Sequence, residues 1–158
     1  MNAIVVTDKQ WAIGRNGDLL FSLPGDMKHF RTLTTGGTVI MGRKTLETLP
    51  GGRGLPDRRN LVLTRQESLT PDRAETVHSP EELLALADSD AFVIGGQEVY
   101  TRLLPSCTRV YVSKVFADVP ADAFFPNLDK DPHWQVVSAG EPQEEVGLRF
   151  QYVEYRRV

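Results

Sequence analysis

The chain offers few of the side chains that would support disulfide, metal or nucleic-acid chemistry. Its 158 residues hold a single cysteine, Cys107, so no internal disulfide can form, and a lone thiol matches a reducing cytoplasm. Its three histidines, His29, His78 and His133, are scattered without a second ligand at metal-site spacing, which points to surface or packing roles and to no bound metal. Lys and Arg number 18 against 21 Asp and Glu, giving a net charge of −3. With no basic run, this argues against a nucleic-acid partner. No charged leader with an apolar core opens the chain, and no apolar run approaches the roughly 20 residues that span a bilayer, so no membrane association is expected. Repeats, low-complexity tracts and interdomain linkers are absent. With 41% hydrophobic and 25% charged residues, the expectation is one soluble domain over residues 1–158, a substantial core, and a monomer as the default state.

Short apolar, β-branched runs recur along the chain. Residues 3–6, 38–41, 60–64, 91–94 and 110–115 read as buried strands, with a brief one at 75–77. Helical patterns separate them. One runs over 24–34 and ends before Gly36-Gly37, a second covers 44–49, and another extends over 97–104. The start at Ser79-Pro80-Glu81-Glu82 is strongly marked, with Ser79 as cap and Glu82 completing a capping box. Residues 134–138 and 148–155 read as a closing antiparallel pair joined by a polar connection at 141–147. The pattern predicts an α/β domain whose central sheet is parallel except at that C-terminal hairpin, with about eight strands and about four flanking helices. Ligands are expected at the carboxyl ends of the strands.

The most informative stretch is 13–31. Ile13-Gly14-Arg15-Asn16-Gly17-Asp18 is punctuated by glycine and reads as a mobile loop. Leu19-Leu20-Phe21 then follows, three apolar residues that a solvated loop has no reason to carry. Pro24 suits the first helical position, which puts Asp26 in the first turn with Met27 and Phe30 on neighbouring faces. The helix dipole alone would favour an acid there. A carboxylate walled by Leu20, Phe21, Met27 and Phe30, however, suffers desolvation unless a partner compensates it. A flat cationic or amidine-like heterocycle gripped by both oxygens is such a partner.

Two further motifs bear on anions. Gly42-Arg43-Lys44-Thr45 puts two cations at a helix start, where they oppose the dipole unless an anion binds; solvated surface charge explains the tetrapeptide equally well. Gly95-Gly96 between a strand and a helix permits either a tight turn or the close approach of a phosphate.

Taken in order, Ile13-Gly14, then Leu19-Leu20-Phe21-Ser22-Leu23-Pro24-Gly25-Asp26-Met27 with Phe30, then Met41-Gly42-Arg43-Lys44-Thr45, then Ile94-Gly95-Gly96, the chain resembles the dihydrofolate reductases of the chromosomal bacterial type over nearly its whole length. The resemblance implies NADPH-dependent reduction of 7,8-dihydrofolate to tetrahydrofolate, by hydride transfer to C6 and protonation of N5. It also implies a role in one-carbon and thymidylate metabolism and sensitivity to antifolate inhibitors. On that resemblance, Asp26 holds the pterin 2-amino group and the adjacent ring nitrogen, and Ser113 supports the carboxylate in place of the more usual threonine. Leu20 and Phe21 belong to the loop that closes over the chemistry. The substrate wall would comprise Ile4, Val5, Met27, Phe30, Leu49, Leu55, Ile94 and Tyr100, with carbonyls of Ile4 and Ile94 near the pterin edge and Arg58 on the tail carboxylate. The cofactor site would draw on Val6, Ile13, Gly14, Leu19, Gly42, Arg43, Lys44, Thr45, Leu63, Thr64 and Arg65. Ile94, Gly95, Gly96, Gln97, Glu98, Val99 and Tyr100 complete it, and Arg43 and Arg65 would face the adenosine 2′-phosphate.

The chain departs from the commonest pattern at four positions. Leu20 replaces a frequent proline and Phe21 a frequent tryptophan, so no indole N–H is present to order a water there. Leu46 stands where an aromatic is common, and Gln97 where a third small residue is. Two rival readings remain: a reductase of the same fold acting on a pyrimidine intermediate of flavin synthesis, and a nucleotide-binding regulatory module without chemistry. Neither has an evident use for an acid at Asp26 under an apolar lid.

Overall fold

The computed structural model describes residues 1–158. In chain order its elements are β1 (Asn2–Thr7), β2 (Ala12–Arg15), β3 (Asp18–Leu19), α1 (Pro24–Thr34), β4 (Thr38–Gly42), α2 (Arg43–Thr48), β5 (Arg59–Leu63) and β6 (Glu75–Val77). There follow α3 (Pro80–Leu86), β7 (Phe92–Gly95), α4 (Gln97–Leu103), β8 (Arg109–Val115), β9 (Ala123–Phe124), β10 (Trp134–Ala139), β11 (Gln143–Glu145) and β12 (Leu148–Arg157).

The main sheet runs β10-β12-β8-β1-β7-β4-β5-β6. Strands β8, β1, β7, β4, β5 and β6 are parallel, while β12 pairs antiparallel to both β8 and β10. This is the expected architecture: α/β, four helices, antiparallel only at its C-terminal end.

Strand periodicity splits the core into two unequal halves. Ala3, Val5, Ile40, Leu61, Val93, Val110 and Val112 face one way and join Leu83 of α3 and Val99 and Leu103 of α4 in a continuous cluster of 22 buried residues. Residues of opposite parity form two smaller groups on the other face. Val39, Met41 and Val62 pack under Leu46 of α2, while Val115 and Phe150 pack under Leu23, just ahead of α1. Between them lies the strip made by β1 and β7, where Val6 and Ile94 remain half-buried at the edges of the two groups. A cleft therefore opens on this face, at the carboxyl ends of the parallel strands.

The structure departs from the sequence reading in two places. Residues 13–19 are not an irregular loop: β2 and β3 form a hairpin, with Gly14 opposite Leu19 and Arg15 opposite Asp18. Its two-residue turn is Asn16-Gly17, with φ of 52° and 81°, the positive pair that a type I′ turn requires. Together with β9 it makes a second, three-stranded sheet. Likewise, the connection at 141–147 carries β11, which folds back on β12. The strand count rises to twelve for these reasons, all in elements of two to four residues.

Candidate functional site

The cleft is built around the first turn of α1. Pro24 opens the helix and Asp26 is its only first-turn acid. The side-chain hydroxyl of Ser113, on β8, donates to Oδ1 of Asp26 at 2.5 Å, so the acid is held by the sheet beneath it. Burial raises the pKa of Asp26, and nearby Glu145 adds to the rise, while the Ser113 hydrogen bond and His29 oppose it. The helix thus presents a carboxyl whose charged form is disfavoured until a donor arrives from the cleft.

Apolar groups surround the acid without sealing it. Phe21 packs into the cluster of Leu23, Val115 and Phe150, and Leu20 is half-buried. Met27 is 58% exposed and Leu19 is 80% exposed, large apolar surface left uncovered at the cleft. Leu49, Leu55 and Ile94 border the opposite wall, each packed on the group under α2 and none fully buried. At the outer end, Arg58 donates through Nε to the carbonyl of Pro56 at 2.8 Å and through Nη1 to Thr34 Oγ1 at 3.1 Å. Its guanidinium lies 6.0 Å from the centre of the Phe30 ring, and burial lowers its pKa. An arginine fixed this way has its orientation settled before any carboxylate meets it.

Two substrate-side expectations acquire a specific geometry. The carbonyl of Ile4 accepts a 2.7 Å hydrogen bond from the Tyr100 hydroxyl, while the Tyr100 ring lies edge-on to Phe125 within the sealed core. Tyr100 therefore reaches the cleft only through that carbonyl; burial drives its hydroxyl pKa far upward, keeping it a donor. Val5 also turns its side chain into the sealed core, leaving its backbone as the part near the cleft.

The second half of the cleft lies at the ends of β4, β5 and β7. Helices α2 and α4 both begin there, after Gly42 and Gly96, and neither has a side-chain cap. Arg43, Lys44 and Thr45 form the first turn of α2, which holds no acid. A Cβ on Gly42 would come within 3.0 Å of Val99 Cγ2, and one on Gly95 within 3.1 Å of Thr45 Oγ1. The glycines let the two helix starts converge, and the Gly95-Gly96 peptide is cis. Leu63 pairs with Gly42, so Thr64 and exposed Arg65 follow the end of β5 at the level where Arg43 follows the end of β4. Arg43 is ion-paired with Glu47 at 2.5 Å. Its groove, about 370 Å³, is lined by Lys44, Glu47 and Thr48 on one side and Asn16, Gly17 and Asp18 of the hairpin on the other.

Four cofactor-side expectations meet prior engagements. Oε1 of Gln97 accepts from the Phe124 N–H at 2.6 Å, tying α4 to the small sheet. Glu98 lies on the exposed side of α4, 3.7 Å from Arg102. Ile13 is buried in the main core, and Gly14 is pressed against the hairpin, where a Cβ would lie 3.0 Å from the Asp18 carbonyl oxygen.

Sequence reasoning missed the groups that crowd Asp26 from behind: His29, Glu145 and Tyr152. The one local signal was Gly25, immediately ahead of the acid at a position where helix formers are preferred. No group of three or more His, Cys, Asp or Glu is placed to hold a metal ion, and no helix is long and apolar enough to cross a membrane.

Comparison with known proteins gives a consistent answer. The family described as "Dihydrofolate reductase" matches residues 1–157. The dihydrofolate reductase of Mycobacterium tuberculosis (strain CDC 1551 / Oshkosh) is 42% identical over 149 residues, covering 92% of this chain and 90% of that protein. The Bacillus subtilis (strain 168) enzyme is 33% identical over 158 residues, covering 98% and 92%. Among solved structures, dihydrofolate reductase from Enterococcus faecalis, complexed with NADP(H) and RAB-propyl, superposes with a TM-score of 0.88 at 34% identity, covering 99% of this chain and 95% of that one.

Proposed function

The chain belongs to the dihydrofolate reductase family, an NADPH-dependent oxidoreductase family, and from that premise we propose how this molecule reduces 7,8-dihydrofolate to tetrahydrofolate. Asp26 is the pterin anchor. Its carboxylate accepts from the 2-amino group and the adjacent ring N–H, a two-pronged contact that compensates its desolvation. Ser113 fixes the plane of that carboxylate. Met27, Phe30, Leu49, Leu55 and Ile94 exclude water from the two sides of the ring, and Arg58, held by Pro56 and Thr34, receives the tail carboxylate.

The residues at the other half fit a phosphate-bearing dinucleotide: two uncapped helix starts, no acid in the first turn of α2, and glycines whose Cβ atoms would close the cradle. Arg43, Lys44 and Thr45 would hold its phosphates, with Arg65 beside Arg43 at the adenosine 2′-phosphate. When bound, NADPH supplies the hydride that reaches C6. The chain's own part is to bring the two rings together on the strip between Val6 and Ile94, to close Leu19, Leu20 and Phe21 over them, and to keep the site polar enough at Asp26 for N5 to take a proton through water. Antifolates would compete for the same acid, and one chain suffices to build the site.

The observation that carries this reading is Asp26, a carboxyl held by Ser113 and raised in pKa at the edge of an apolar cleft. The test is a spectrophotometric assay. NADPH absorbance should fall when dihydrofolate is present and stay constant without it or with a flavin-pathway pyrimidine in its place; turnover of the pyrimidine instead would overturn the assignment.

A further inference from the structure

Helix α1 begins without a cap of its own, since Leu23 occupies that position and offers no side-chain acceptor. The acceptor comes from the far end of the chain. The N–H of Gly25 donates to Oε2 of Glu145, on β11, at 2.9 Å across 120 residues of sequence. A Cβ on Gly25 would collide with Oε1 of the same carboxylate, so glycine is what admits Glu145 to this place. Gly25 directly precedes Asp26, and the capping carboxylate therefore sits one residue from the pterin anchor.

The groups that face Asp26 come from four elements. Ser113 reaches it from β8, His29 from its own helix and Glu145 from β11. Tyr152 of β12 lies close to both carboxylates; burial is the main cause of its raised hydroxyl pKa, and Asp26 and Glu145 raise it further. Its ring stacks on His29 with centroids 4.2 Å apart, closing the back of the cluster.

We infer that Glu145 is a positioning residue for the reduction: it anchors the first turn of α1 from the β11–β12 hairpin and, as a second carboxylate behind Asp26, sets the pH range over which that acid and the bound pterin retain their shared proton. This rests on the reading of Asp26 given above. The physical argument has two parts. A helix N-terminus without an acceptor frays, and Glu145 supplies one in a geometry that also satisfies the dipole. A negative charge behind Asp26 disfavours its ionised form, so the site holds its proton to higher pH than Ser113 and His29 alone would allow.

Three variants separate these parts. Glu145→Gln keeps an acceptor for Gly25 and removes the charge. The alkaline limb of the pH profile for hydride transfer, followed by stopped flow, should move toward acid. At pH values above that limb the rate should fall about two- to fivefold, corresponding to a shift of roughly half a pH unit. The acid plateau and the KM for dihydrofolate should stay in place. Glu145→Ala should show the same displacement together with a raised KM, because the first turn loses its acceptor. Gly25→Ala pushes the carboxylate out of its seat while keeping its charge on the molecule, and should raise KM with a smaller displacement. Circular dichroism and melting curves confirm that each variant is folded.

A pH profile unmoved in Glu145→Gln and Glu145→Ala overturns the inference, as does a rise in KM with no displacement, the mark of a merely structural contact. Asp26→Asn, run alongside, keeps the two failures apart. If it behaves as wild type, the anchor reading itself is wrong. If it abolishes most of the hydride step while the Glu145 variants leave the profile alone, only the role of Glu145 falls.

Discussion

The two faces of the central sheet are made from the same strands, one residue out of phase, and they solve opposite problems. On one, Ala3, Val5, Ile40, Leu61 and Val93 merge with α3 and α4 into a continuous buried cluster, and that face contributes stability. On the other, the apolar residues divide into two small groups under α1 and α2, and Met27 of α1 and Leu19 of the hairpin stay exposed. The closed cluster is made of apolar and aromatic side chains, while the divided face carries Asp26 at a cost. A sheet whose alternate residues face different environments can therefore separate stability from chemistry at single-residue resolution.

Asp26→Asn should break that comparison most sharply. Hydride transfer near neutral pH is expected to fall by about 10²–10⁴-fold, with partial recovery in acid where the substrate is protonated in solution. Stability should move the other way. The folded pKa of Asp26 is raised, so between the unfolded and folded values the native state binds more protons than the unfolded one, and stability falls as pH rises through that window. Asparagine escapes this loss while still accepting from Ser113. The variant should therefore melt higher than wild type at pH 7 and no higher at pH 3, a result that calorimetry at the two pH values checks.

A matched pair of leucines tests the faces directly. Leu61 is fully buried in the closed core, and Leu61→Ala should cost about 2–5 kcal/mol in denaturant unfolding with KM for dihydrofolate nearly unchanged in the folded fraction. Leu49 is only half-buried at the edge of the cleft, and Leu49→Ala should do the reverse, raising KM at a smaller cost in stability.

Within the divided face, Arg43→Ala and Arg65→Ala should each weaken NADPH binding roughly 10- to 150-fold and leave NADH nearly untouched, since a charge-assisted hydrogen bond contributes ~1.5–3 kcal/mol. The Arg43 effect should lie toward the lower end, because Glu47 already engages that guanidinium and must give it up. Measuring kcat/KM with both cofactors decides it, and equal losses would place the 2′-phosphate elsewhere. The smallest effect belongs to Phe21→Trp. An added indole N–H near the carboxylate should alter the pH dependence of the single-turnover hydride step while NADPH affinity stays constant; an identical profile would count against a water held there.

Much of the divided face was legible one strand at a time. Pro24 marked the helix start and so put Asp26 in its first turn, and short apolar, β-branched runs marked the strands, because each signal lies within a few neighbouring residues. The hairpin at Asn16-Gly17 was equally local, and its turn dipeptide names the geometry; attention to glycine as a mark of mobility obscured it. Strands β9 and β11 were not legible. With two and three residues, they take their strand character from a partner rather than from any pattern of their own. The Gly25–Glu145 contact lay beyond reach for a related reason: nothing near either residue refers to the other, and only the fold brings them together.

Strand order also constrains how the molecule is made. β7 lies between β1 and β4, yet the chain completes β4, α2, β5, β6 and α3 before β7 exists. During synthesis, then, β1 and β4 wait with unpaired edges for the strand that joins them, for roughly 2–10 s at ~5–20 residues per second. Ser113 and Tyr152 arrive later still, so the acid in α1 has no support until the last third of the chain emerges. An N-terminal fragment would carry Asp26, the hairpin and the two arginines proposed for the cofactor and still be an open, sticky sheet, which makes assembly of the C-terminal half the step on which both solubility and the proposed site depend.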